Sequence, residues 1–393
     1  MSHALFSRSP DLAQLRSEGY SVHIVGGMLV VDDVPYVRAN KVVARGRLIS
    51  PLELAGDATR APGDHTLYFD GDFPCDATGN RLASIACGEE QAFNLGEGLT
   101  ARHKFSSKPS NGYRDYHDKI ATYASLLAGP AAVIDPNATA MVFREVDSDE
   151  EGPFHYLETA SGRAGIVGLT KRLQRQTIAI VGLGGTGSYI LDHVAKTPVD
   201  EIRLIDDDVF SQHNAFRAPG AASLNTLRDA PLKVDYLADI YGRMHRHIVP
   251  IAARLEKDTL HHLDGCTFVF VAIDGGEAKR SIVEYLERMD IAFIDVGMGL
   301  ELGDGRLGGI LRVTLSTPAR RKHVHDGRVP FSGGGEDDVY TSNIQASDLN
   351  ALNAALAVIR WKKLLSVYRD DLNEHHSTFT LDATLLVNGE SDE

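Results

Sequence analysis

Two hydrophobic patterns follow one another along the chain. Over the first 145 or so residues, short β-rich runs at 22–25, 28–31 and 36–37 are interrupted by Gly26-Gly27, Asp32-Asp33 and Pro35, residues that commonly end strands. Residues 66–69 (TLYF) read as another strand, 70–80 as turns, and 119–127 (KIATYASLL) has helical spacing. The expected result is a smaller α+β domain over residues 1–150. An acidic run without apolar periodicity, 146–152 (VDSDEEG), marks its end.

Beyond it, compact apolar runs alternate with helical patterns. Strands are expected at 177–181 (TIAIV), 201–205, 268–273, 292–296 and 310–315, with helices at 188–196, 232–244 and 279–288 between them. Strands that are apolar on both faces and separated by helices build a mostly parallel sheet covered on both sides. The fold class over residues 151–393 is therefore α/β, a doubly wound, Rossmann-like sheet. A last helix at 349–365 places Leu349, Leu352, Leu356 and Ile359 on one face, and 378–387 reads as a single closing strand.

Composition narrows the function classes. A chain of 393 residues has room for two or three domains and a large core. No apolar run reaches the ~18 residues of a membrane helix, and residues 1–10 lack the apolar centre of a secretion signal. The balance of 40 Lys+Arg against 54 Asp+Glu, 40 − 54 = −14, argues against nucleic acid as partner. Three cysteines, Cys75, Cys87 and Cys266, form no Cys-x-x-Cys pair and no disulfide framework. A cytoplasmic protein without a membrane segment is expected.

The chemistry concentrates after residue 181. Gly182-Leu183-Gly184-Gly185-Thr186-Gly187 is a G-x-G-x-x-G between an expected strand and an expected helix. Gly182 suits a tight turn, Gly184 a close approach of phosphate to backbone, and Gly187 close helix–strand packing. The free N–H groups of the helix start favour an anion. Asp206 ends the next strand, where a carboxylate can hold ribose hydroxyls. To that point an NAD-dependent oxidoreductase fits as well as an ATP enzyme. Asp208, Asn214, Arg217, Lys233 and Asp274 separate the two. Hydride transfer has no use for a triphosphate clamp. Arg217 and Lys233 can offset the charge of leaving pyrophosphate, and Asp274, ending strand 268–273, can hold Mg²⁺. Asn214 and Asp274 also suit helix caps.

With these residues in place, the chain resembles the ThiF/MoeB-type ubiquitin-activating (adenylating) superfamily, over residues 163–390. That family pairs the glycine loop with Asp-x-Asp and places Asn and Arg eight and eleven residues past the first Asp; here 214 − 206 = 8 and 217 − 206 = 11. The resemblance implies ATP and Mg²⁺ as cofactors. It implies Gly182, Gly184, Gly185 and Gly187 at the phosphates, Asp206 and Asp208 at the nucleotide, Asn214, Arg217 and Lys233 on the triphosphate, and Asp274 on the metal. The implied reaction is adenylation of the C-terminal carboxylate of a ubiquitin-like or sulfur-carrier protein ending in Gly-Gly. The implied setting is a homodimer, with a conjugating enzyme as a further partner. A nucleotide-binding scaffold without transfer chemistry is the non-enzymatic alternative.

The chain departs from the family in two ways. The two zinc Cys-x-x-Cys pairs are absent, and Val339 falls at or near the thioester cysteine. Thr341, Ser342, Cys75 or a partner's thiol is then the acyl acceptor. The loop 320–335, basic and then Gly-rich, is expected to be a flexible clamp for the carrier's tail. Arg163, Arg172 and Arg175 are candidates to reach a neighbouring subunit's ATP, Arg163 first. In the first domain, 103–109 (HKFSSKP) and 112–116 (GYRDY) are similar to an uncharacterised domain that precedes the activating domain in bacterial ubiquitin-like conjugation operons. His103, Lys108 and His117 are expected to form an anion-binding or partner face there.

Overall fold

The computed structural model describes residues 5–6, 8–88, 90–143, 152–156, 158, 160–164, 166–331 and 344–389, apart from the side chains of residues 162, 163 and 167. It divides into two compact units, Met1–Thr170 and Lys171–Glu393.

In the first unit, helix α1 (Pro10–Ser17) precedes a five-stranded antiparallel meander: β1 (Ser21–Val25), β2 (Met28–Val37), β3 (Val43–Pro51), β4 (Thr66–Asp70) and β5 (His103–Ser106). Helix α2 (Tyr116–Ile134) lies across β2 and β3. Its N-terminus is capped by Asp115, whose Oδ1 accepts the Asp118 N–H at 2.8 Å. Alternate residues of β2 point to opposite faces. Leu29 and Val31 pack with Ile120, Tyr123 and Leu127 of α2, whereas Met28 and Val30 pack with Leu95, Leu99 and Ala101 of a short ribbon on the far face. Asp32-Asp33, expected as a break, is instead a bulge inside one strand. The register shifts between Val31 and Val34, and Asp33 takes φ 60°, so the extra residue is absorbed while pairing continues.

The second unit holds an eight-stranded sheet. In chain order its elements are β6 (Thr177–Val181), α3 (Gly185–Val194), β7 (Glu201–Ile205), α4 (Lys233–Tyr241), β8 (Ile248–Ile251), β9 (Phe268–Val271), α5 (Glu277–Arg288), β10 (Ala292–Gly303), β11 (Arg306–Ser316), α6 (Ser347–Leu364), β12 (His376–Thr380) and β13 (Leu385–Gly389). The strand order is β8-β7-β6-β9-β10-β11-β12-β13. Strands β6 to β10 are mutually parallel, and the remaining pairings are antiparallel. The chain leaves β6 toward β7 on one side and later returns to β9 on the other. The strand order reverses at β6, which opens a crevice beyond the carboxyl ends of β6 and β9. Ile178 and Ile180 face the core formed with α3, α4 and α6, while Ala179 and Val181 face the core formed with α5.

Three expectations are corrected. The run at 310–315 is no further parallel strand: β11 returns antiparallel to β10 through Asp304-Gly305, both at positive φ (51° and 72°). Such a two-residue turn matches strand twist and leaves no room for a crossover helix. The closing segment is two strands, because a turn at 381–384 separates β12 from β13. Helix α6 buries a face only partly shared with the leucine face. Leu349 is buried and Leu356 packs against the core, but Leu352 and Ile359 are 36% and 42% exposed, while Asn350, Asn353, Ala354, Ala357 and Trp361 are buried. Small and amide-bearing side chains let α6 approach α3 closely, and a Cβ on Gly185 would collide with Asn350.

Candidate functional site

The glycine loop lies at the sheet's reversal point. Gly182 leaves β6 at φ 86°, and a Cβ there would stand 2.6 Å from the Ala272 carbonyl oxygen, so a side chain is excluded twice over. Gly187 has a similar constraint: its Cβ would run into the Gly182 carbonyl. At Gly184, the residue before α3, a Cβ would meet nothing. That backbone borders a cavity of about 770 Å³, which Gly185 and Asp274 also line. The expected site residues thus separate into groups.

Gly184, Gly185 and Asp274 share the cavity, and Asp274 is exposed on the turn that follows β9. Asp206, Asp208 and Lys233 form a second group. Asp206 Oδ2 accepts the Leu183 N–H at 2.7 Å and its Oδ1 the Asp208 N–H at 2.9 Å, so one carboxylate ties β7 to the glycine loop. Lys233, at the first turn of α4, is buried with Nζ 3.3 Å from Asp206 Oδ1 and 2.5 Å from Asp208 Oδ2. Asn214 and Arg217 lie on the segment after β7 and hydrogen-bond to neither group among the described residues. The buried Asn214 accepts the Ser211 N–H through Oδ1 at 2.8 Å, which engages its oxygen as a cap for the short helix Gln212–Ala215. Arg217 is half-buried, and its enclosed Nε has no hydrogen-bond partner among the described residues.

Motif spacing did not reveal the cavity floor. Asp295 of β10 is fully buried between two cations: Lys279 Nζ stands 2.7 Å from one carboxylate oxygen and Arg312 Nη2 2.6 Å from the other. Lys279 and Arg312 both line the cavity, together with Asp274, Glu301 and Asp382, so its wall carries charges of both signs. Asn353 closes another side, donating Nδ2–H to the Gly297 carbonyl at 3.0 Å. The legible signal for Asn350 and Asn353 was their three-residue spacing on α6. The Asp295–Arg312 contact depends on strand pairing, Arg312 lying opposite Gly297.

The expected acyl acceptors Thr341 and Ser342, together with Val339, lie outside the described residues. Cys75 is buried with Val37, Ala131 and Ala138 in the first unit, and burial pushes its thiol up, which disfavours the thiolate. Burial pushes the Cys266 thiol up to about 11. Of the loop expected as a flexible clamp, 320–331 is packed instead. Val324 and Val329 are buried in the core beside α5, and His323 Nε2 lies 2.8 Å from the Leu315 carbonyl oxygen. Arg172 donates to the Ser366 carbonyl, and the Arg175 N–H donates to Asp200 Oδ1 at 3.2 Å. The side chain of Arg163 lies outside the described residues. In the first unit, His117 pairs with Glu18 at 2.9 Å, Lys108 is exposed, and His103 is buried in a cavity of its own.

Residues 159–309 match the ThiF family. The second unit contains a ThiF-family domain. Residues 10–159 match a domain of unknown function, DUF6791, so the two families meet some ten residues before the compact units divide at Thr170. A tRNA threonylcarbamoyladenosine dehydratase from Haemophilus influenzae is 29% identical over 132 residues, 32% of this chain and 49% of that protein. The chain thus spans about half the length of this curated relative. Among solved structures, E. coli MccB with N-formylated MccA has a TM-score of 0.46 at 18% identity, covering 58% of this chain and 68% of that one. E. coli MccB with ATP has a TM-score of 0.45 at 18% identity over 57% and 66%. PaaA has a TM-score of 0.45 at 17% identity over 56% and 75%.

Proposed function

We propose that the second unit uses ATP to adenylate the C-terminal carboxylate of a protein or peptide, and that this substrate is a ubiquitin-like or sulfur-carrier protein ending in Gly-Gly. The observation that carries the reading is the backbone at Gly184, which opens onto a cavity shared with Asp274 while the Asp206–Asp208–Lys233 group is bonded to the same loop at Leu183. A helix N-terminus with an unobstructed glycine suits a phosphate chain. Asp206 suits the ribose. Lys233 and Arg217, whose buried Nε lacks a partner among the described residues, suit the triphosphate.

The cavity also suits the carboxylate substrate. Gly297 and Gly299 of β10 and Gly309 of β11 line part of it, which leaves stretches of bare backbone against which an extended Gly-Gly tail can lie. Lys279 and Arg312 supply cationic side chains that can meet a carboxylate, beside the acidic Asp274, Glu301 and Asp382 of the same lining. In the reaction one carboxylate oxygen bonds to the α-phosphorus of ATP, the bond from that phosphorus to the β-phosphate bridging oxygen breaks, and pyrophosphate leaves with its electron pair. Lys233 and Arg217 offset the charge that develops on the leaving group.

Magnesium fits Asp274. A single carboxylate beside phosphate oxygens is a common arrangement for this ion, and when bound it would neutralise triphosphate charge. The carboxylates of Asp206, Asp207 and Asp208 also converge, with ligand atoms within 4.8 Å of one another, but the Lys233 ammonium already lies against Asp206 and Asp208. The name of the H. influenzae relative places its reaction on a tRNA nucleoside; a net charge of −14 disfavours an RNA-borne substrate here.

ATP–pyrophosphate exchange in the presence of a Gly-Gly-ending carrier tests the reading. Exchange that requires the carrier's free C-terminus is the expected result. Binding of NAD without ATP would overturn it, and ATP binding without exchange would leave a scaffold.

A further inference from the structure

We propose that the first unit carries a second, separate binding site, a cavity closed by His103 that takes a small carboxylate-bearing ligand with an apolar body. The cavity encloses about 400 Å³ and is lined by Phe73, Arg81, Ala83, Ala86, Gly88, Glu90, His103 and Lys104. This volume lies at the lower end of the range for small-molecule sites.

His103 is the reason to read the cavity as a site. Its side chain is 98% buried, the residue pairing with Phe69 in the β4–β5 register. The ring stacks parallel to Phe105, with centroids 6.1 Å apart. Among the described residues neither ring nitrogen has a partner in hydrogen-bond geometry. The polar groups beside the ring are the Gly71 backbone and Glu90 Oε1, the latter 3.9 Å from Nε2. The ring has hydrogen-bonding capacity to spare, the Gly71 backbone offering at most one bond, and it borders a space large enough to be filled. Burial pushes its pKa down, so near neutral pH it offers one donor and one acceptor.

The mouth supplies the charge. Arg81 lies over the Phe73 ring, 4.0 Å from its centroid, and Lys104 borders the same cavity. Glu90 stands 4.0 Å from Arg81 and 3.9 Å from His103, near both and bonded to neither. Arg81 and Lys104 outweigh Glu90 by one charge, so a single ligand carboxylate can be held, with Arg81 as its fork and Phe73, Ala83 and Ala86 against its apolar part. A neutral ligand has no use for the Arg81–Lys104 pair. Glu90 opposes a dianionic phosphate more strongly than a monocarboxylate. The site uses no residue of the adenylation reading and does not depend on it.

The full chain is titrated with 3-phenylpropanoate, with its neutral amide, with N-acetylphenylalanine and with inorganic phosphate, while the His103 imidazole signals, assigned from His103→Gln, are followed by NMR. Saturable perturbation of His103 by the carboxylates is expected, with the amide weaker by about tenfold or more. Arg81→Gln, a substitution at the exposed rim, should weaken binding by a similar factor. Glu90→Gln should tighten it, which a purely structural role would not produce. Tighter binding of N-acetylphenylalanine than 3-phenylpropanoate would identify a peptide carboxylate as the source; the reverse order would identify a free acid. Equal binding of acid and amide, a response to phosphate alone, or an unperturbed His103 at about 10 mM carboxylate would overturn the proposal, leaving a cavity filled by water.

Discussion

Each unit buries lysine, and for different reasons. In the first, Lys119 of α2 extends into the core and finds neutral oxygens, Ser50 Oγ at 3.0 Å and the Asp64 carbonyl at 2.9 Å. Burial pushes its pKa down to about 8, with the Asp64 and Glu53 carboxylates opposing this from a distance. In the second, Lys233 and Lys279 lie against carboxylates, Asp206 and Asp208 for one and Asp295 for the other. Lys119 ties a helix to a sheet. Lys233 and Lys279 lie at the glycine loop and beneath the main cavity, where a fixed positive charge can act on an anion. A buried ammonium without a carboxylate is a structural cost, whereas one paired beside a cavity is held ready for chemistry.

The strongest way to break this contrast is to remove the shared carboxylate. Asp295→Ala leaves Lys279 and Arg312 buried and uncompensated, and should lower stability by about 3–5 kcal/mol, read as a fall in the urea midpoint. Lys233→Ala comes next. It should reduce ATP–pyrophosphate exchange by about 100-fold or more while far-UV circular dichroism is unchanged; full exchange would remove Lys233 from the site.

Lys119 sharpens the contrast through pH. Its folded pKa of about 8 lies below its ordinary 10.5. Between these values the unfolded chain binds more protons, so stability rises with pH there, by up to about 1.4 kcal/mol per pH unit. Below pH 8 both states carry the proton and the contribution is flat. Urea denaturation from pH 7.5 to 9.5 should show this slope, and Lys119→Met should flatten it. The smallest effects belong to α6. Leu352→Ser and Ile359→Ser, at side chains more than half covered, should each cost about 1 kcal/mol, and Ala354→Leu about 1–3 kcal/mol by overpacking.

Much of the second unit was legible because its signals are local. A glycine loop between an apolar run and a helix start, Asp206 at a strand end and Lys233 at a helix start are all read within a few residues. Asp304-Gly305 was legible too, as a hairpin signal, but the apolar run at 310–315 drew the reading toward another parallel strand. The α6 face was read in part: Leu349 and Leu356 pack toward the core, but asparagines and alanines beside them take its centre. Burial was decided by which side chains allow α3 to come close. The first unit was read least well: β3 and β5 went unseen, and His103, Lys108 and His117, expected on one face, have separate surroundings.

By itself the sequence determined the local alternation of strand and helix, the glycine loop and the residue types that follow it, since periodicity and turn chemistry act over a few residues. Only tertiary structure decided the rest. It set Asp295 between Lys279 and Arg312, placed Asp274 and Gly184 on one cavity, and closed a pocket over His103. Those contacts join residues far apart in sequence, and strand register and the close approach of helices, with no local signature, bring them together.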